Sequence, residues 1–182
     1  MEIILIRHGK PTGAIYPRVN ASGFANWVRK YDQSGIVTGS FPESDILSTF
    51  KGHYIVSSSL KRAIESTQIC FKKMPSETSN IFRELEIPRY KLPFTLKASN
   101  WLYLNRILWT LGVKCSSESY QSAKKRAAAA SEQLIKLANK HNKVVLVSHG
   151  YINFFIRRHL SKNGWHLKEQ SRNYWGVTRL ET

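Results

Sequence analysis

Two apolar strands that end in the same way constrain the fold of this chain most strongly. The first covers residues 1–7 and leads into Arg7-His8-Gly9, and the second covers 143–148 and leads into Ser148-His149-Gly150. Ligands of open α/β sheets bind at the carboxyl ends of the strands, so both imidazoles are expected at one sheet edge. The pair therefore predicts a functional site built from two distant parts of the chain.

Segments typical of strands alternate with segments typical of helices, which favours a mainly parallel sheet with helices on both faces. The predicted strands are residues 1–7, 53–58, 80–82, 143–148 and 174–180. The predicted helices are residues 22–34, 44–51, 59–72, 96–111, 117–140 and 150–160, with Ser59 as the N-cap of the third. The length of 182 residues, without repeats or a linker, predicts one domain over 1–182.

The charge of the chain narrows the class of partner. Lys and Arg number 28 against 12 Asp and Glu, which gives a formal net charge of +16. A field of this sign attracts anions, and it suits a phosphorylated substrate, a nucleic acid or an acidic membrane surface. No nucleic-acid-binding motif is recognisable, so no nucleic-acid partner is expected. A solvated basic surface is the alternative explanation for most of these residues.

Other classes of protein are disfavoured by what the sequence lacks. No window resembles a transmembrane span of about 20 apolar residues. Residues 1–7 lack the basic leader of a signal peptide, so a cytoplasmic location is expected. The two cysteines, Cys70 and Cys115, form neither a disulfide framework nor a metal-binding cluster, and the histidines lack metal-ligand spacing. No metal is therefore assigned.

Three of the motifs carry side chains suited to phosphate. Neutral imidazole is a good nucleophile near pH 7 because its unperturbed pKa is about 6.5, so His8 can accept a phosphoryl group. Arg7 offers a planar fork for phosphate oxygens. Arg62, within Ser59-Leu60-Lys61-Arg62-Ala63, lies in the first turn of a predicted helix, where anions are favoured. His149 can donate to a phosphoryl oxygen. The alternatives are turn histidines and solvated arginines.

A fourth motif, Phe82-Arg83-Glu84-Leu85-Glu86, supplies carboxyl groups. Phosphoryl transfer from an ester needs a proton donor for the leaving alkoxide, and a carboxylic acid can serve. Residues two apart point to opposite sides of an extended segment, so only one of Glu84 and Glu86 is expected to face the site. The alternative is a pair of solvated carboxylates.

In the order Arg-His-Gly, Ser-x-x-Arg-Ala, Glu and Ser-His-Gly, these motifs resemble the histidine phosphatase superfamily, which includes cofactor-dependent phosphoglycerate mutases and acid phosphatases. The resemblance runs from Arg7 to residues 173–181, which look like the last strand of that family. It implies a three-layer α/β/α sandwich with a mainly parallel central sheet, the phosphoglycerate mutase-like fold. It implies neither a metal nor an organic cofactor.

The resemblance also implies a role for each candidate residue. His8 is expected to become phosphorylated. Glu84 is expected to be the general acid, with Glu86 as the fallback. Three side chains are expected to surround the phosphoryl group: Arg7, Arg62 and His149. The catalytic set implied is therefore His8, Glu84 and His149.

The sequence departs from the family pattern at two places beside these motifs. Lys10-Pro11-Thr12 follows the first motif where the family has Glu-Thr or Gln-Thr. Ile87-Pro88-Arg89-Tyr90 stands where a Gly-x-Trp-Glu stretch is common. These changes leave the expected phosphate pocket intact and alter the expected substrate pocket.

Three functions are compatible with this sequence. The first is a phosphatase that hydrolyses a phosphomonoester, either a small metabolite or a phosphoprotein, through phosphohistidine. The alternatives are a catalytically silent basic binding module on the same fold and, less favoured for so short a chain, a phosphoglycerate-type mutase. The apolar segment 97–111 is interpreted as a helix packed on the sheet, with a lid, a dimer contact and a membrane-surface helix as alternatives.

Overall fold

The structure, a computed structural model, describes residues 1–42 and 49–182. Its elements follow in chain order: β1 (Glu2–Arg7), β2 (Arg18–Val19), α1 (Ala21–Asp32), β3 (Tyr54–Ser58), α2 (Lys61–Phe71), β4 (Glu77–Ser79), a 3-10 turn (Asn80–Phe82), β5 (Leu96–Lys97), α3 (Ala98–Thr110), α4 (Tyr120–His141), β6 (Lys143–Ser148), α5 (Gly150–Lys162), β7 (His166–Gln170) and β8 (Val177–Glu181). The helix predicted over 44–51 lies for the most part outside the described residues.

The central sheet is mainly parallel, as predicted. Among the described residues, six strands form it in the order β4-β3-β6-β1-β8-β7. The first four run parallel to one another, whereas β8 is antiparallel to β1 and β7 is antiparallel to β8. The inner parallel strands carry continuous apolar runs, which is expected where helices cover both faces.

The pairing of β1 with β6 fixes the edge at which the site forms. The two strands pair over their full length, with Glu2 opposite Lys143 and Arg7 opposite Ser148. Parallel strands in this register end at the same level. The residues that follow them, His8 and His149, therefore leave the sheet side by side.

Helices on both faces complete the predicted three layers. On one face, Ile3 and Leu5 of β1 pack in a cluster with residues of α4 and α5. On the other face, Ile4 and Ile6 pack in a second cluster that Phe71 of α2 joins. This alternation follows from the two-residue period of a strand, and it makes β1 a fully covered central strand.

The apolar segment predicted as a helix over 96–111 forms α3, and it packs on α1 rather than flat on the sheet. The Trp101 ring stacks on Phe24 of α1 with centroids 5.6 Å apart, and its indole N–H donates to the Val19 carbonyl at 2.8 Å. Trp109 is buried in the cluster that contains α4. Three large side chains on the other side of α3 are exposed: Tyr103, Ile107 and Leu111.

Two local predictions beside β3 are wrong. Residues 80–82 form a 3-10 turn instead of a strand, because the Ser79 hydroxyl accepts a hydrogen bond from the Ile81 backbone N–H at 3.4 Å and starts the turn. Leu60, and not Ser59, is the N-cap of α2. The Ser59 hydroxyl instead donates to a side-chain oxygen within the 80–82 turn, so it ties that turn to the start of α2.

One strand near the end of the chain, β7, is not revealed by the sequence pattern. All five residues of β7 are exposed, so this edge strand has no apolar alternation by which it could be recognised. β8 begins at Val177, later than the predicted start at residue 174. Trp175 has a φ of 63°, which interrupts the extended backbone before β8.

We expect Trp101→Ala to lower the free energy of unfolding by about 3–5 kcal/mol, because it empties the contact between α1 and α3. Tyr103→Ala, on the exposed side of the same helix, is the matched control, and we expect it to stay within about 0.5 kcal/mol of the unsubstituted protein. Urea titration followed by tryptophan fluorescence and circular dichroism measures both. Equal effects of the two substitutions would contradict the packing of α3 on α1.

Candidate active site

The two predicted histidines meet at the carboxyl edge of β1 and β6. The His8 backbone N–H donates to the Ser148 carbonyl at 2.9 Å, which continues the ladder past the strands. The imidazole centroids of His8 and His149 are 5.0 Å apart in an edge-to-face arrangement. Both residues are buried: His8 is 2% exposed and His149 is 0% exposed. The structure thus gathers both rings in one water-poor place.

The His8 ring is held as a neutral imidazole with a defined proton position. Its Nδ1 lies 2.7 Å from the Gly9 carbonyl oxygen. A carbonyl only accepts, so Nδ1 carries the proton and Nε2 keeps its lone pair. Burial, together with the charges of Arg62 and Arg7, lowers the pKa of His8 to about 3, against the opposing effect of the hydrogen bond to Gly9. At neutral pH this ring is therefore uncharged, with a free lone pair on Nε2.

His149 is the N-cap of α5 and is also neutral. Its Nε2 lies 2.8 Å from the Ser58 hydroxyl, and that hydroxyl accepts from the Leu60 backbone N–H at 3.3 Å. The Ser58 hydrogen is thus available for Nε2, which assigns the ring proton to Nδ1. Burial, followed by the charges of its neighbours, lowers the pKa of His149 well below its ordinary value. His149 can therefore donate a hydrogen bond without being charged.

Arg62 supplies a buried positive charge from the first turn of α2. The residue is 1% exposed. One terminal nitrogen donates to the carbonyl oxygens of Tyr31 and Asp32, at 3.3 and 3.2 Å, at the end of α1. The guanidinium also lies 5.0 Å from the centroid of the Tyr31 ring. The negative end of the α1 dipole favours this cation, so α1 positions Arg62 beside the two imidazoles.

Arg7 brings a second guanidinium from the end of β1. One terminal nitrogen donates to the Arg172 carbonyl at 2.7 Å, and the group lies 4.4 Å from the centroid of the Tyr174 ring. Its side chain passes over Gly150, where an added Cβ would stand 3.5 Å from Arg7 Nε. Burial is the main cause of the lowered pKa of His8 and His149, and the charge of Arg7 contributes in the same direction.

The Glu84 side chain contacts the start of α5, the helix that begins directly after His149. Its carboxylate accepts from the backbone N–H groups of Tyr151 and Ile152, at 3.2 and 3.0 Å, and from Leu85 at 3.0 Å. A carboxylate at the positive end of a helix is favoured. The structure therefore brings Glu84 to the element that carries His149.

Glu86, the other candidate acid, has a different location. Its carboxylate accepts from the Glu118 backbone N–H at 2.7 Å, ahead of α4. Glu84 and Glu86 line one groove together, but Glu84 alone of the two also lines the cleft that contains Arg7 and Gly150. This geometry favours Glu84 over Glu86 as the acid.

Several groups that hold the site were not singled out from the sequence. Tyr174 contacts both His8 and Arg7: its ring centroid lies 5.9 Å from that of His8, and the Arg7 guanidinium lies against its face. The carbonyl groups that hold Arg62 belong to the backbone, so no sequence pattern marks them. Ser58 directly precedes the Ser59-Leu60-Lys61-Arg62-Ala63 motif, in a run of three serines over 57–59, and the sequence does not indicate which of them faces the imidazole.

Gly9 is required by a close approach within the site. The Trp175 indole packs against it so closely that an added Cβ would lie 2.2 Å from the ring. The Gly9 backbone N–H donates to the Ser66 hydroxyl at 3.0 Å, and the indole N–H donates to the Ser40 hydroxyl at 2.9 Å. A side chain at residue 9 would displace the indole and loosen the loop that carries His8.

Comparison with known proteins identifies the family of the chain. The sequence model of the histidine phosphatase superfamily (branch 1) matches residues 44–182. The chain belongs to this superfamily. The matched range includes Arg62, Glu84 and His149, whereas Arg7 and His8 lie before it and join the site through the pairing of β1 with β6. By sequence, no curated protein matches the chain.

Solved structures of the same fold include several phosphatases. A phosphoserine phosphatase variant from Entamoeba histolytica in complex with phosphoserine is 18% identical, with 98% of this chain and 89% of that chain covered and a TM-score of 0.55. A mycobacterial glucosyl-3-phosphoglycerate phosphatase in complex with VO3 is 16% identical, with 99% and 92% covered and a TM-score of 0.58. The product of a Mycobacterium tuberculosis open reading frame is 13% identical, with 85% and 77% covered and a TM-score of 0.59. Identities this low show the common fold alone.

Within residues 1–42 and 49–182, no helix has the length and apolar character needed to cross a bilayer. The same residues contain no group of three or more His, Cys, Asp or Glu side chains arranged to hold a metal ion.

The lowered pKa of His8 predicts a pH dependence of stability. As the pH falls from 6.5 towards 3, the unfolded chain binds a proton at His8 before the folded chain does, so acid favours unfolding. We expect the free energy of unfolding to decrease over this window by up to about 1.4 kcal/mol per pH unit from His8 alone. His8→Ala removes that slope.

Urea titrations at a series of pH values compare the unsubstituted protein, His8→Ala and the surface control His166→Ala. Nitrogen chemical shifts of the His8 ring, recorded over the same range, report its protonation directly. A ring that becomes protonated near pH 6.5 in the folded protein, or parallel stability curves with and without His8, would contradict the prediction.

Proposed function

We propose that this chain hydrolyses phosphomonoesters through a phosphohistidine formed on His8. The observation that carries the proposal is a set of buried nitrogens beside that ring. Within the described part of the chain, no hydrogen-bond partner is found for three of them: Arg7 Nε, Arg62 Nε and His149 Nδ1. An unpaired buried polar group costs about 1–3 kcal/mol. Because a phosphoryl group offers several acceptor oxygens, it would satisfy all three.

Electrostatics support the same ligand. The charges of Arg62 and Arg7 lower the pKa of both imidazoles, which means that the site carries a positive potential that disfavours further protons. The same potential favours a phosphate dianion, and burial strengthens the attraction because little water screens it. The site therefore suits phosphate binding while it keeps His8 unprotonated.

In the first step, His8 Nε2 attacks phosphorus and the bond from phosphorus to the ester oxygen breaks. The leaving oxygen takes a proton from the carboxylic acid form of Glu84, and Glu84 becomes a carboxylate. Arg7, Arg62 and His149 would stabilise the equatorial oxygens of the loose transition state. An alcohol is released and the phosphoryl group stays on His8.

In the second step, water attacks phosphorus and the bond between phosphorus and His8 Nε2 breaks. The Glu84 carboxylate accepts the proton of the attacking water and so regains its acid form. Inorganic phosphate leaves, and His8 returns to the neutral ring with its proton on Nδ1. The cycle consumes one ester and one water and needs no further reactant.

We expect His8→Ala to reduce kcat for an aryl phosphate by more than about 10³-fold, because the nucleophile is removed. Circular dichroism checks that the variant stays folded, and His166→Ala on the exposed edge strand is the matched control, expected to keep full activity. Brief incubation with ³²P-labelled substrate and an alkaline quench should label the unsubstituted protein, with the label released by acid. A folded protein with neither hydrolysis nor acid-labile label would favour the silent binding module instead.

We expect Glu84→Gln to slow substrates according to their leaving group. Alkyl phosphates, whose leaving oxygen needs a proton, should lose about 10²–10⁴ in kcat, and p-nitrophenyl phosphate should lose much less. Glu86→Gln is the matched control and should affect both substrates alike and weakly. If Glu84→Gln slows both substrates equally while Glu86→Gln discriminates between them, the acid is Glu86.

A further inference from the structure

The cleft that contains Arg7, Gly150 and Glu84 opens between α5 and the connection from β7 to β8. It encloses a volume of about 410 Å³. Three arginines line it: Arg7, Arg157 and Arg172. We call it the arginine cleft. The two imidazoles do not line it, but Arg7, which is proposed to hold the phosphoryl group, does.

The arginine cleft is positive and lacks a matching counter-charge. Among the described residues that line it, Glu84 is the acidic one, and its carboxylate already accepts three backbone hydrogen bonds. Burial, followed by the charges of Arg172 and Arg158, lowers the pKa of Arg157. Like charges held close together in a cleft raise the local affinity for an anion.

Polar groups of the arginine cleft are also left without partners. In the described part of the chain, no hydrogen-bond partner is found for the buried Arg157 Nε or for Asn153 Oδ1. Asn153 Nδ2 donates to the Ile6 carbonyl at 3.4 Å, so the amide orientation is fixed. One guanidinium donor and one amide acceptor match an anionic group that carries, or lies beside, an O–H or N–H.

The arginines are held in place by the wall of the cleft. The guanidinium groups of Arg157 and Arg172 lie 5.6 and 6.0 Å from the centroid of the Phe154 ring. Arg7 donates to the Arg172 carbonyl at 2.7 Å, which ties the arginine cleft to the end of β1. Arg7 lines the arginine cleft and is also proposed to hold the phosphoryl group, so it links the cleft to the proposed site of reaction.

We propose that the arginine cleft binds a second anionic group, a carboxylate or a phosphate, of the same molecule whose phosphoryl group His8 accepts. The inference rests on the proposed function and refines it, because it makes the substrate an acidic phosphomonoester. It assigns to Arg157 the discrimination between acidic and neutral substrates. Arg157 then determines specificity and does not touch the reacting atoms.

The first test compares two substrates that differ in one group. Phosphoglycolate carries a carboxylate where 2-hydroxyethyl phosphate carries a hydroxymethyl group. We expect Arg157→Gln to lower kcat/KM for phosphoglycolate by about tenfold or more, chiefly through KM, since a charge-assisted contact is lost. For 2-hydroxyethyl phosphate the change should stay within about twofold. Arg158→Gln is the matched control, because Arg158 also lies near Phe154 but does not line the arginine cleft.

A second test keeps the inference separate from catalysis. Calorimetric titration of His8→Ala protein with both compounds should give at least about tenfold tighter binding of phosphoglycolate, and Arg157→Gln should abolish that preference. Arg172→Gln, at an exposed residue, provides a second variant if Arg157→Gln does not fold. If the unsubstituted protein shows this binding preference but no turnover, the proposed phosphatase activity is wrong and the proposed anion binding by the arginine cleft stands.

Two results would overturn the proposal. One is equal binding of phosphoglycolate and 2-hydroxyethyl phosphate, with no effect of Arg157→Gln or Arg172→Gln on their ratio. The other is a free-anion site, in which inorganic phosphate binds His8→Ala protein at two sites and Arg157→Gln removes one of them without changing that ratio. If either result is found while both compounds are hydrolysed, the proposed phosphatase activity stands and the arginine cleft has no role in substrate recognition.

Discussion

The parallel register of β1 and β6 is the constraint on which the rest of the site depends. Arg7 lies opposite Ser148, and the His8 N–H donates to the Ser148 carbonyl at 2.9 Å. These contacts hold the two imidazoles next to each other. A shift of the register by one residue would exchange the faces to which the side chains of β1 point. The buried apolar residues on both faces oppose such a shift, so packing in the core fixes the distance between the two rings.

Around that fixed pair, the fold concentrates positive charge where water is scarce. Arg62 is almost completely buried, and Arg7 has a buried Nε with no partner among the described residues. Buried charges are costly unless they are compensated. Carbonyl groups at the end of α1 and at Arg172 compensate them in part. The remaining potential lowers the pKa of the imidazoles and is the property that suits an anionic ligand.

The sequence predicts the fold and the candidate residues better than it predicts how those residues are held. The apolar runs of β1 and β6 and the motifs that follow them identify the central strands, since buried parallel strands leave a clear pattern. The exposed edge strand β7 leaves none, and Arg157 and Arg172 stand among many other basic residues until the fold brings them to one cleft. Backbone carbonyls that hold Arg62 are equally invisible, because every residue has one. The preference for Glu84 over Glu86 likewise rests on their different backbone donors, which the sequence does not reveal.

The contact between Gly9 and Trp175 has a consequence for how the protein is made. β1 is synthesised early, but its partners β6 and β8 and the indole that packs on Gly9 follow on the order of 140 or more positions later. Until those later segments have been synthesised, the loop that carries His8 has nothing to pack against, and the apolar β1 stays unpaired. Long-range pairing of this kind slows folding and exposes strand edges.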